Sequence, residues 1–209
     1  MEKLLIFPFN GNALEAMDCV GGQYELIGFV DDTPEKQGPT KYGYTVYDRS
    51  ALDKFKDAKV LAVPGSSVSY KKREDHIGSL KIAKERLATV VHPNASIGKN
   101  VKVGANCLIM AGVVITSNAV IGDHVCILPN TVIHHDAEVK DYTLIGCNVA
   151  IAGGTTIERN CYIGSGTNIM NGITIGEYTL IGLGSNVLKS VPAQSKIAGN
   201  PAKEIQAKK

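Results

Sequence analysis

Every sixth residue from Val91 to Val187 is a β-branched aliphatic residue. The run contains 17 consecutive isoleucine or valine positions without an insertion. Four residues after each of them stands a small or aliphatic residue, from Ala95 to Val191. Two inward positions in every six residues fit a short strand that recurs with a constant step. This period is the feature that most restricts how the chain can fold.

The residue before each small position favours a turn. Fourteen of these 17 positions are Asn, Gly, Asp or His, the types that most readily adopt a left-handed backbone conformation, and the exceptions are Tyr142, Tyr178 and Ser190. A constant succession of strand and corner predicts a β-solenoid, in which β-branched side chains stack in ladders inside a narrow core.

Several aliphatic-Gly pairs in the repeat resemble the motif of the hexapeptide-repeat acyltransferases. They are Ile121-Gly122, Ile145-Gly146, Ile163-Gly164, Ile175-Gly176 and Ile181-Gly182. That family folds as a left-handed parallel β-helix with three hexads in each coil. The resemblance therefore implies that residues 18 apart lie one above another, and that the chain forms homotrimers with active sites between neighbouring helices.

The first 85 residues lack the six-residue period. Leu4 to Phe7, Leu26 to Val30 and Val60 to Val63 are short apolar runs typical of buried parallel strands. Ala13 to Val20 and Ala51 to Phe55 are predicted helices beside them. The pattern predicts a small βαβ layer, so the fold class is α/β plus β-solenoid.

The order of the two parts resembles the NeuD/PglD-like branch of sugar acyltransferases, with Val90-Val91-His92-Pro93-Asn94-Ala95 at the junction. The resemblance implies a small Rossmann-like domain over residues 1–88 that binds a nucleotide-sugar. It implies a left-handed β-helix acyltransferase domain with a C-terminal cap over residues 89–209.

Four residues of the first domain occupy the places of the family's nucleotide-sugar site. In that family a Gly-rich turn follows the first strand, an acidic pair follows the second, and an Ile-Gly-Asn turn ends a later strand. Gly11, Asp31 with Asp32, and Gly65 stand at those places. The resemblance implies that these residues contact the substrate.

The segment Ile133-His134-His135-Asp136-Ala137 gathers ionisable groups at one corner. Acyl transfer requires the acceptor to lose a proton, and histidine titrates in the required pH range. By resemblance His135 is the general base, Asp136 sets its tautomer, and His134 contacts the substrate. The alternative is that Asp136 is only a left-handed corner residue and both histidines decorate a solvated turn.

The 18-residue step places glycines beside this corner. Gly153 and Gly154 follow His135 and Asp136 by one coil, and Ser117 and Asn118 precede them by one coil. A gap without side chains would admit a pantetheine thioester, and backbone N–H groups near Gly153 would stabilise the oxyanion. We therefore predict coenzyme A contacts at Gly153 and Gly154.

The tail Ile197-Ala198-Gly199-Asn200-Pro201-Ala202-Lys203 resembles the closing motif of the superfamily. The resemblance implies that Gly199, Asn200 and Lys203 border the adenine and 3′-phosphate end of coenzyme A. A turn that merely caps the last coil is the alternative, and both functions are compatible.

Composition and charge restrict the expected binding partners, the cellular location and metal binding. Lys and Arg number 22 against 20 Asp and Glu, a net charge of +2, so neither nucleic acid nor a membrane is an expected partner. Five cysteines without a CxxC pair favour reduced thiols. The apolar start from Leu4 to Phe9 is broken by Pro8 and supports neither a signal peptide nor a spanning helix, so we expect a cytoplasmic location. No two of the five histidines are 18 or 36 residues apart, so we expect no metal site.

Together with these features, the resemblance implies an acetyl-CoA-dependent N-acetyltransferase. Its acceptor is a nucleotide-linked amino sugar, a 4-amino-4,6-dideoxy sugar, destined for a surface glycan, and transfer is direct with His135 as base. Two alternatives remain open at this point: an O-acetyltransferase acting on a sugar or sialic acid, and a non-catalytic trimeric sugar-binding scaffold.

Overall fold

A computed structural model describes residues 1–205 of the chain. An α/β layer is followed by a solenoid of short parallel strands. The last four residues of the predicted second domain, 206–209, lie outside the described residues.

The N-terminal layer is a five-stranded sheet. Its strands are β1 Glu2–Phe7, β2 Tyr24–Val30, β3 Gly38–Pro39, β4 Thr45–Tyr47 and β5 Lys59–Ala62. They lie in the order β3-β4-β2-β1-β5, and the pairs of β1 with β2, β1 with β5, and β2 with β4 are parallel, whereas β3 and β4 are antiparallel. The helices are α1 Gly11–Val20, α2 Ala51–Lys54 and α3 Arg73–Gly78, with 3-10 turns at Pro34–Lys36, Tyr70–Lys72 and Lys84–Arg86.

The solenoid has three sheets, which we number in the order that each coil visits them. Sheet I contains Val90–Val91, Leu108–Ile109, Cys126–Ile127, Leu144–Ile145, Tyr162–Ile163, Leu180–Ile181, Lys196–Ala198 and Lys203–Glu204. Sheet II contains Ser96–Ile97, Val114–Ile115, Val132–Ile133, Ala150–Ile151, Asn168–Ile169 and Asn186–Val187. Sheet III contains Lys102–Val103, Val120–Ile121, Glu138–Val139, Thr156–Ile157 and Thr174–Ile175.

Strand pairing has the predicted register. Ile115 pairs with Ile133, which pairs in turn with Ile151, so each residue lies on the residue 18 positions away. Every sixth residue from 100 to 184 has a positive φ, which makes fifteen left-handed corners. Tyr142 and Tyr178 adopt this conformation although tyrosine rarely does so, with φ of 61° and 56°.

The register ends at the last coil. Val191 bridges to Ile175, 16 residues away, because the corner after Val187 is two residues shorter than the corners below it. The prediction that Val191 continues the series of small positions is therefore wrong in register, although its side chain is buried.

The solenoid core consists of the two predicted inward series. The aliphatic positions from Ile109 to Ile181 and the small positions from Cys107 to Ser185 are buried. Threonines in the second series donate their hydroxyls to backbone carbonyls, as Thr131 does to Gly146 at 2.8 Å. Polar atoms inside the narrow core are thereby satisfied.

The N-terminal layer packs on the outward side of sheet I. One apolar cluster joins Ala13 and Ala16 of α1 to Leu108, Cys126 and Leu144 of the solenoid. Outward positions of a free solenoid face water, so these apolar residues mark the sheet that the first domain covers. The two parts of the chain therefore share a hydrophobic core.

Ile127 and Ile97 occupy the same position in the hexad but differ in burial. Ile127 is 0% exposed in the middle of the solenoid, and Ile97 is 41% exposed at its first coil. We expect Ile127→Ala to lower the free energy of unfolding by about 2 to 5 kcal/mol, because it leaves a cavity in a packed core. Ile97→Ala should cost less than about 1 kcal/mol. Urea unfolding followed by circular dichroism measures both, and equal losses would contradict the core assignment.

Candidate active site

His135 and Asp136 form a hydrogen-bonded dyad at the corner between sheets II and III. Asp136 is the left-handed corner residue, with φ of 59°, and its Oδ2 lies 2.7 Å from Nδ1 of His135. Both side chains are exposed, at 66% and 57%. A carboxylate at Nδ1 favours the tautomer that carries its proton there, which leaves the lone pair on Nε2. That nitrogen is available to accept a proton from a ligand.

A ladder of amides supports the dyad from the coils below. Asn118 donates from Nδ2 to Oδ1 of Asp136 at 3.0 Å, and Asn100 donates from Nδ2 to Oδ1 of Asn118 at 3.2 Å. The hydrogen bond from His135 and then that from Asn118 lower the pKa of Asp136. Each oxygen of the carboxylate is thus held by a different partner. The 18-residue step predicts that Asn118 lies beside Asp136, but not that it supports the carboxylate.

The glycines above the dyad differ from each other in what surrounds them. A Cβ at Gly153 would lie 2.6 Å from Nε2 of His135, so the absent side chain makes room for the imidazole itself. At Gly154 a Cβ would meet only Gly172 Cα at 4.0 Å, and at Gly172 it would meet nothing within 4 Å. The predicted hollow is therefore open at Gly154 and Gly172, but His135 occupies the space over Gly153.

Backbone N–H groups beside the imidazole are unequal donors. The N–H of Gly154 donates to the carbonyl of His135 at 3.0 Å as part of the coil ladder. Within residues 1–205 the N–H of Gly153 makes no hydrogen bond. Gly153 therefore retains a free backbone donor next to the general-base candidate.

His134 stands one residue before the dyad, at the end of a sheet II strand. Its backbone N–H donates to Ile151 in the coil above at 2.9 Å, and the residue is exposed. The side chain makes no hydrogen bond to any described residue. It is therefore free to meet a ligand, but the dyad does not include it.

A cleft of about 580 Å³ opens at the C-terminal end of the solenoid. The shortened coil from Val187 to Ser195 lines it, together with Ile197 and the segment from Ala202 to Glu204. Lys203 lies in this wall, and Lys189 faces the same cleft without having been singled out from the sequence. At three coil steps of about 4.8 Å, this corner lies roughly 14 Å above Asp136.

Gly199 and Asn200 are not among the residues that line this cleft. Gly199, with φ of 103°, accepts from the N–H of Asn186 at 3.0 Å and donates to Oγ of Ser185 at 3.2 Å. These bonds close the last strand onto the coil below. The capping role considered for the tail is thus present in the structure.

A second pocket, of about 230 Å³, lies in the N-terminal layer at the ends of β1 and β2. Its wall contains both predicted acids, but each already pairs with a cation. Asp31 is buried and contacts Lys36 at 3.0 Å, and Asp32 binds Arg49 through Nε and Nη2 at 2.6 and 2.8 Å. The pocket wall consists of Phe7, Pro8, Asp31, Asp32, Thr33, Lys36, Arg49, Pro64 and His76.

Two opposing effects set the protonation of Asp31. Burial raises the pKa of the carboxyl, but hydrogen bonds from Thr33 and Lys36 outweigh it and leave the pKa below its ordinary value. Asp31 is therefore a fixed anion, and Lys36 also donates to the carbonyl of Phe9 at 3.0 Å. The sequence identified the acidic pair but not the two cations that face it.

The two predicted glycines of this site lie beside the pocket rather than in its wall. Gly11 begins α1 directly after Asn10, whose side chain accepts from the N–H of Ala13. Gly65, with φ of 125°, follows Pro64, and a Cβ there would lie 3.0 Å from Cγ and Cδ of Arg73. Packing against Arg73 thus accounts for Gly65 without any ligand.

Neither a metal cluster nor a membrane span is found in the described part of the chain. Residues 1–205 contain no group of three or more His, Cys, Asp or Glu side chains placed to hold a metal ion. Among the same residues, no helix combines the length and apolar character that crossing a bilayer requires.

Family models match the solenoid. The bacterial transferase hexapeptide repeat matches residues 118–153 and 154–189, and the hexapeptide repeat of succinyl-transferase matches residues 94–125. No curated protein matches the chain by sequence.

Solved structures match the chain over almost its whole length. The acetyltransferase domain of PglB from Neisseria gonorrhoeae is 22% identical with a TM-score of 0.85, covering 98% of this chain and 100% of that one. PerB from Caulobacter crescentus, solved with CoA and GDP-perosamine, is 23% identical with a TM-score of 0.83, covering 99% and 98%. WeeI from Acinetobacter baumannii is 25% identical with a TM-score of 0.84, covering 98% and 100%.

The repeat and the fold define a left-handed parallel β-helix of the hexapeptide-repeat class, preceded by an α/β domain. The resemblance to the NeuD/PglD-like sugar acyltransferases that the sequence indicated is confirmed, and so is the predicted fold class.

Asn118→Gly tests whether the amide supports the dyad. Glycine tolerates the left-handed corner, so the change removes only the side chain. We expect the pKa of Asp136 to rise towards its ordinary value, because the ionised form loses a hydrogen-bond donor. NMR titration of the labelled Asp136 carboxyl measures it. Asn130→Gly, at a left-handed corner with φ of 60° away from the dyad, is the matched control. A titration of Asp136 unchanged by Asn118→Gly would remove the role of the ladder.

Proposed function

We propose that the protein transfers the acetyl group of acetyl-CoA to the amino group of a nucleotide-linked amino sugar, a 4-amino-4,6-dideoxy sugar. One observation carries this proposal: an exposed His135–Asp136 pair beside glycines, at a corner of a fold shared from end to end with nucleotide-sugar N-acetyltransferases. The chain is thus an acetyl-CoA-dependent acyltransferase.

The dyad supports direct transfer with one base. Nε2 of His135 accepts a proton from the amine as its nitrogen bonds to the thioester carbonyl. The tetrahedral intermediate then expels the coenzyme thiolate, which takes that proton back from the imidazolium and leaves as the thiol. Asp136 holds the imidazole in the required tautomer and stabilises its charge, and the free N–H of Gly153 is the candidate oxyanion donor.

The same corner offers a track for the coenzyme. Gly154 and Gly172 leave open space directly above the dyad, and the cleft with Lys189 and Lys203 follows one coil further on. An acyl-pantetheine arm lying along the glycines would bring its phosphates towards the two ammonium groups, which suit anionic oxygens. We assign the coenzyme to this corner on that basis.

We assign the nucleotide-sugar to the pocket of about 230 Å³ in the N-terminal layer, and the position of this nucleotide-sugar pocket favours an active site shared between subunits. The N-terminal domain covers sheet I, whereas the dyad stands at the corner between sheets II and III, the edge opposite sheet I in a three-sided prism. A sugar held by one domain therefore reaches a dyad most directly on a neighbouring chain. We propose a homotrimer for this reason.

The outward side of sheet II supplies a surface for that contact. It carries apolar Val114, Val132 and Ala150 in three consecutive strands and polar Asn168 and Asn186 in the next two, and Met170 and Leu188 are exposed just beyond those two strands. The apolar part of this surface favours burial against a second chain. A cytoplasmic location and a role in surface glycan synthesis complete the proposal, since the reaction consumes acetyl-CoA.

The acceptor is tested with matched pairs of substrates. We expect purified protein and acetyl-CoA to add one acetyl group to 4-amino-4,6-dideoxy nucleotide-sugars and none to their 4-hydroxy counterparts, as detected by mass spectrometry. Acetylation of the hydroxy partners alone would replace the proposal with an O-acetyltransferase. Binding without any thiol release would replace it with a sugar-binding scaffold.

His135→Ala tests the base. We expect thiol release from acetyl-CoA in the presence of acceptor to fall by at least about 100-fold, the usual contribution of a general base. His92→Ala, at the entry to the solenoid, should leave the rate unchanged. Circular dichroism checks that both variants remain folded, and an unaffected rate in a folded His135→Ala protein would exclude this mechanism.

Gly153→Ala tests the fit of the imidazole. The added methyl group would lie 2.6 Å from Nε2, so the ring must move, and we expect the rate to fall by about 100-fold. In the double variant with His135→Ala the loss should not exceed that of His135→Ala alone, because the methyl group acts through the imidazole. Additive losses would show that Gly153 acts independently of the base.

A further inference from the structure

The two domains meet along one corner of the solenoid, which we call the seam. Its residues share the left-handed conformation and each contacts the N-terminal domain, and they are Asn106, His124, Tyr142, Asn160 and Tyr178. Asn106 exchanges two hydrogen bonds with the backbone of Ala62, at 2.7 and 2.8 Å. Tyr70 donates its hydroxyl to the carbonyl of Tyr178 at 3.0 Å. Successive coils thus form hydrogen bonds with the N-terminal domain along the seam.

Within residues 1–205, the backbone hydrogen bonds between coils do not use the carbonyls of the corner residues, so these carbonyls remain available as acceptors. The backbone ladder uses the residue before each corner, so Tyr142 donates to the carbonyl of Asp123 and Asn160 to that of Asp141. Among the described residues the ladder does not use the carbonyls of His124 and Tyr142. A buried carbonyl without a partner costs free energy, so each must be satisfied by the domain that covers it.

Arg73 satisfies both of these carbonyls. Its Nη2 donates to His124 at 2.7 Å and its Nε to Tyr142 at 2.8 Å. The side chain is 1% exposed, and no carboxylate among residues 1–205 forms an ion pair with it. Burial lowers the pKa of the guanidinium. A buried charge held only by carbonyls depends on their geometry, which the rigid fork of arginine matches and a lysine does not.

The third contact of Arg73 reaches the pocket of the N-terminal domain. Its Nη1 donates to the carbonyl of Pro64, and its Cγ and Cδ lie 3.0 Å from the place that a Cβ at Gly65 would occupy. Pro64 lies in the pocket wall, as does His76, which shares helix α3 with Arg73. One guanidinium therefore joins two coil corners to the turn that forms part of the pocket.

We propose that Arg73 is a positioning residue that fixes the Pro64–Gly65 turn of the nucleotide-sugar pocket relative to the solenoid. This inference rests on the proposed function, because it assigns that pocket to the acceptor. Arg73 does not touch the reacting atoms. It sets the place at which the domain presents the nucleotide-sugar, and thereby the acceptor's affinity rather than the chemistry of the dyad.

Arg73→Lys in the full-length chain tests the proposal. Lysine keeps the charge but cannot serve three carbonyls with a planar fork. We expect the KM for the nucleotide-sugar to rise about tenfold, the effect of about 1.4 kcal/mol of lost binding, with KM for acetyl-CoA and kcat within twofold of the wild type. Gly65→Ala disturbs the same turn, because a methyl group there meets Arg73 and because a φ of 125° strains any residue with a Cβ. It should give the same selective rise, which keeps the test valid if Arg73→Lys folds poorly.

Two controls separate positioning from stability. Arg86→Lys alters an arginine that likewise donates to three backbone carbonyls, those of Leu52, Phe55 and Ala58, away from the pocket. Tyr70→Phe removes one seam hydrogen bond without contact to Pro64. Both should lower the thermal midpoint without changing the KM for the nucleotide-sugar.

Hydrogen exchange of the ligand-free protein supplies a readout that needs no turnover. Arg73→Lys should speed amide exchange in the segment 64–69 more than in α1, and the controls should not. An unchanged turn and an unchanged KM, or equal rises in KM for both substrates, would overturn the proposal. If the wild type acetylates no nucleotide-sugar, the proposed function fails, while exchange in the turn still decides whether Arg73 holds it.

Discussion

Backbone hydrogen bonds between coils, repeated at a step of 18 residues, are the constraint on which this structure depends. They hold each residue over its counterpart, as Ile133 lies between Ile115 and Ile151. Because the step is constant, a side chain at one corner has a defined neighbour above and below. His135 therefore meets Gly153 on one side, and its partner Asp136 meets Asn118 on the other. The site is built by stacking rather than by a loop that must be ordered separately.

The solenoid has different functions at two of its edges, the edge that carries Asp136 and the seam. The corner with Asp136 ends its ladder of amide and carboxylate groups in two glycines, which opens a track along the edge. The seam instead carries larger residues, including two tyrosines in an uncommon backbone conformation. The carbonyls of His124, Tyr142 and Tyr178 accept hydrogen bonds from the N-terminal domain, because the coil ladder leaves them free. One repeat thus supports both a rigid domain junction and an open ligand groove.

Much of the fold and part of the site follow from the sequence. The hexad period predicted the strands and the corners, and the resemblance to the family motif predicted the pairing of His135 with Asp136. The predicted hollow at Gly153 was inaccurate, because His135 fills the space over that glycine. Gly65, predicted to contact the substrate, packs against Arg73 instead of lining the pocket. The partners of Asp31 and Asp32 were not predicted, since Lys36 and Arg49 come from segments without a period. Lys189 was missed because the last coil departs from the register.

By itself, the sequence determined the solenoid and its register, because strictly local spacing fixes which residues stack, whereas the dyad was proposed from its resemblance to a family motif. Tertiary structure decided which edge the first domain covers and which corner remains open, since those outcomes depend on contacts between residues far apart in the chain. Arg73 illustrates the difference. Nothing in its local sequence distinguishes it from other arginines, yet folding buries it among carbonyls contributed by two coils and a distant turn. The positioning role of Arg73 depends on this burial by distant segments, which no periodicity in the sequence encodes.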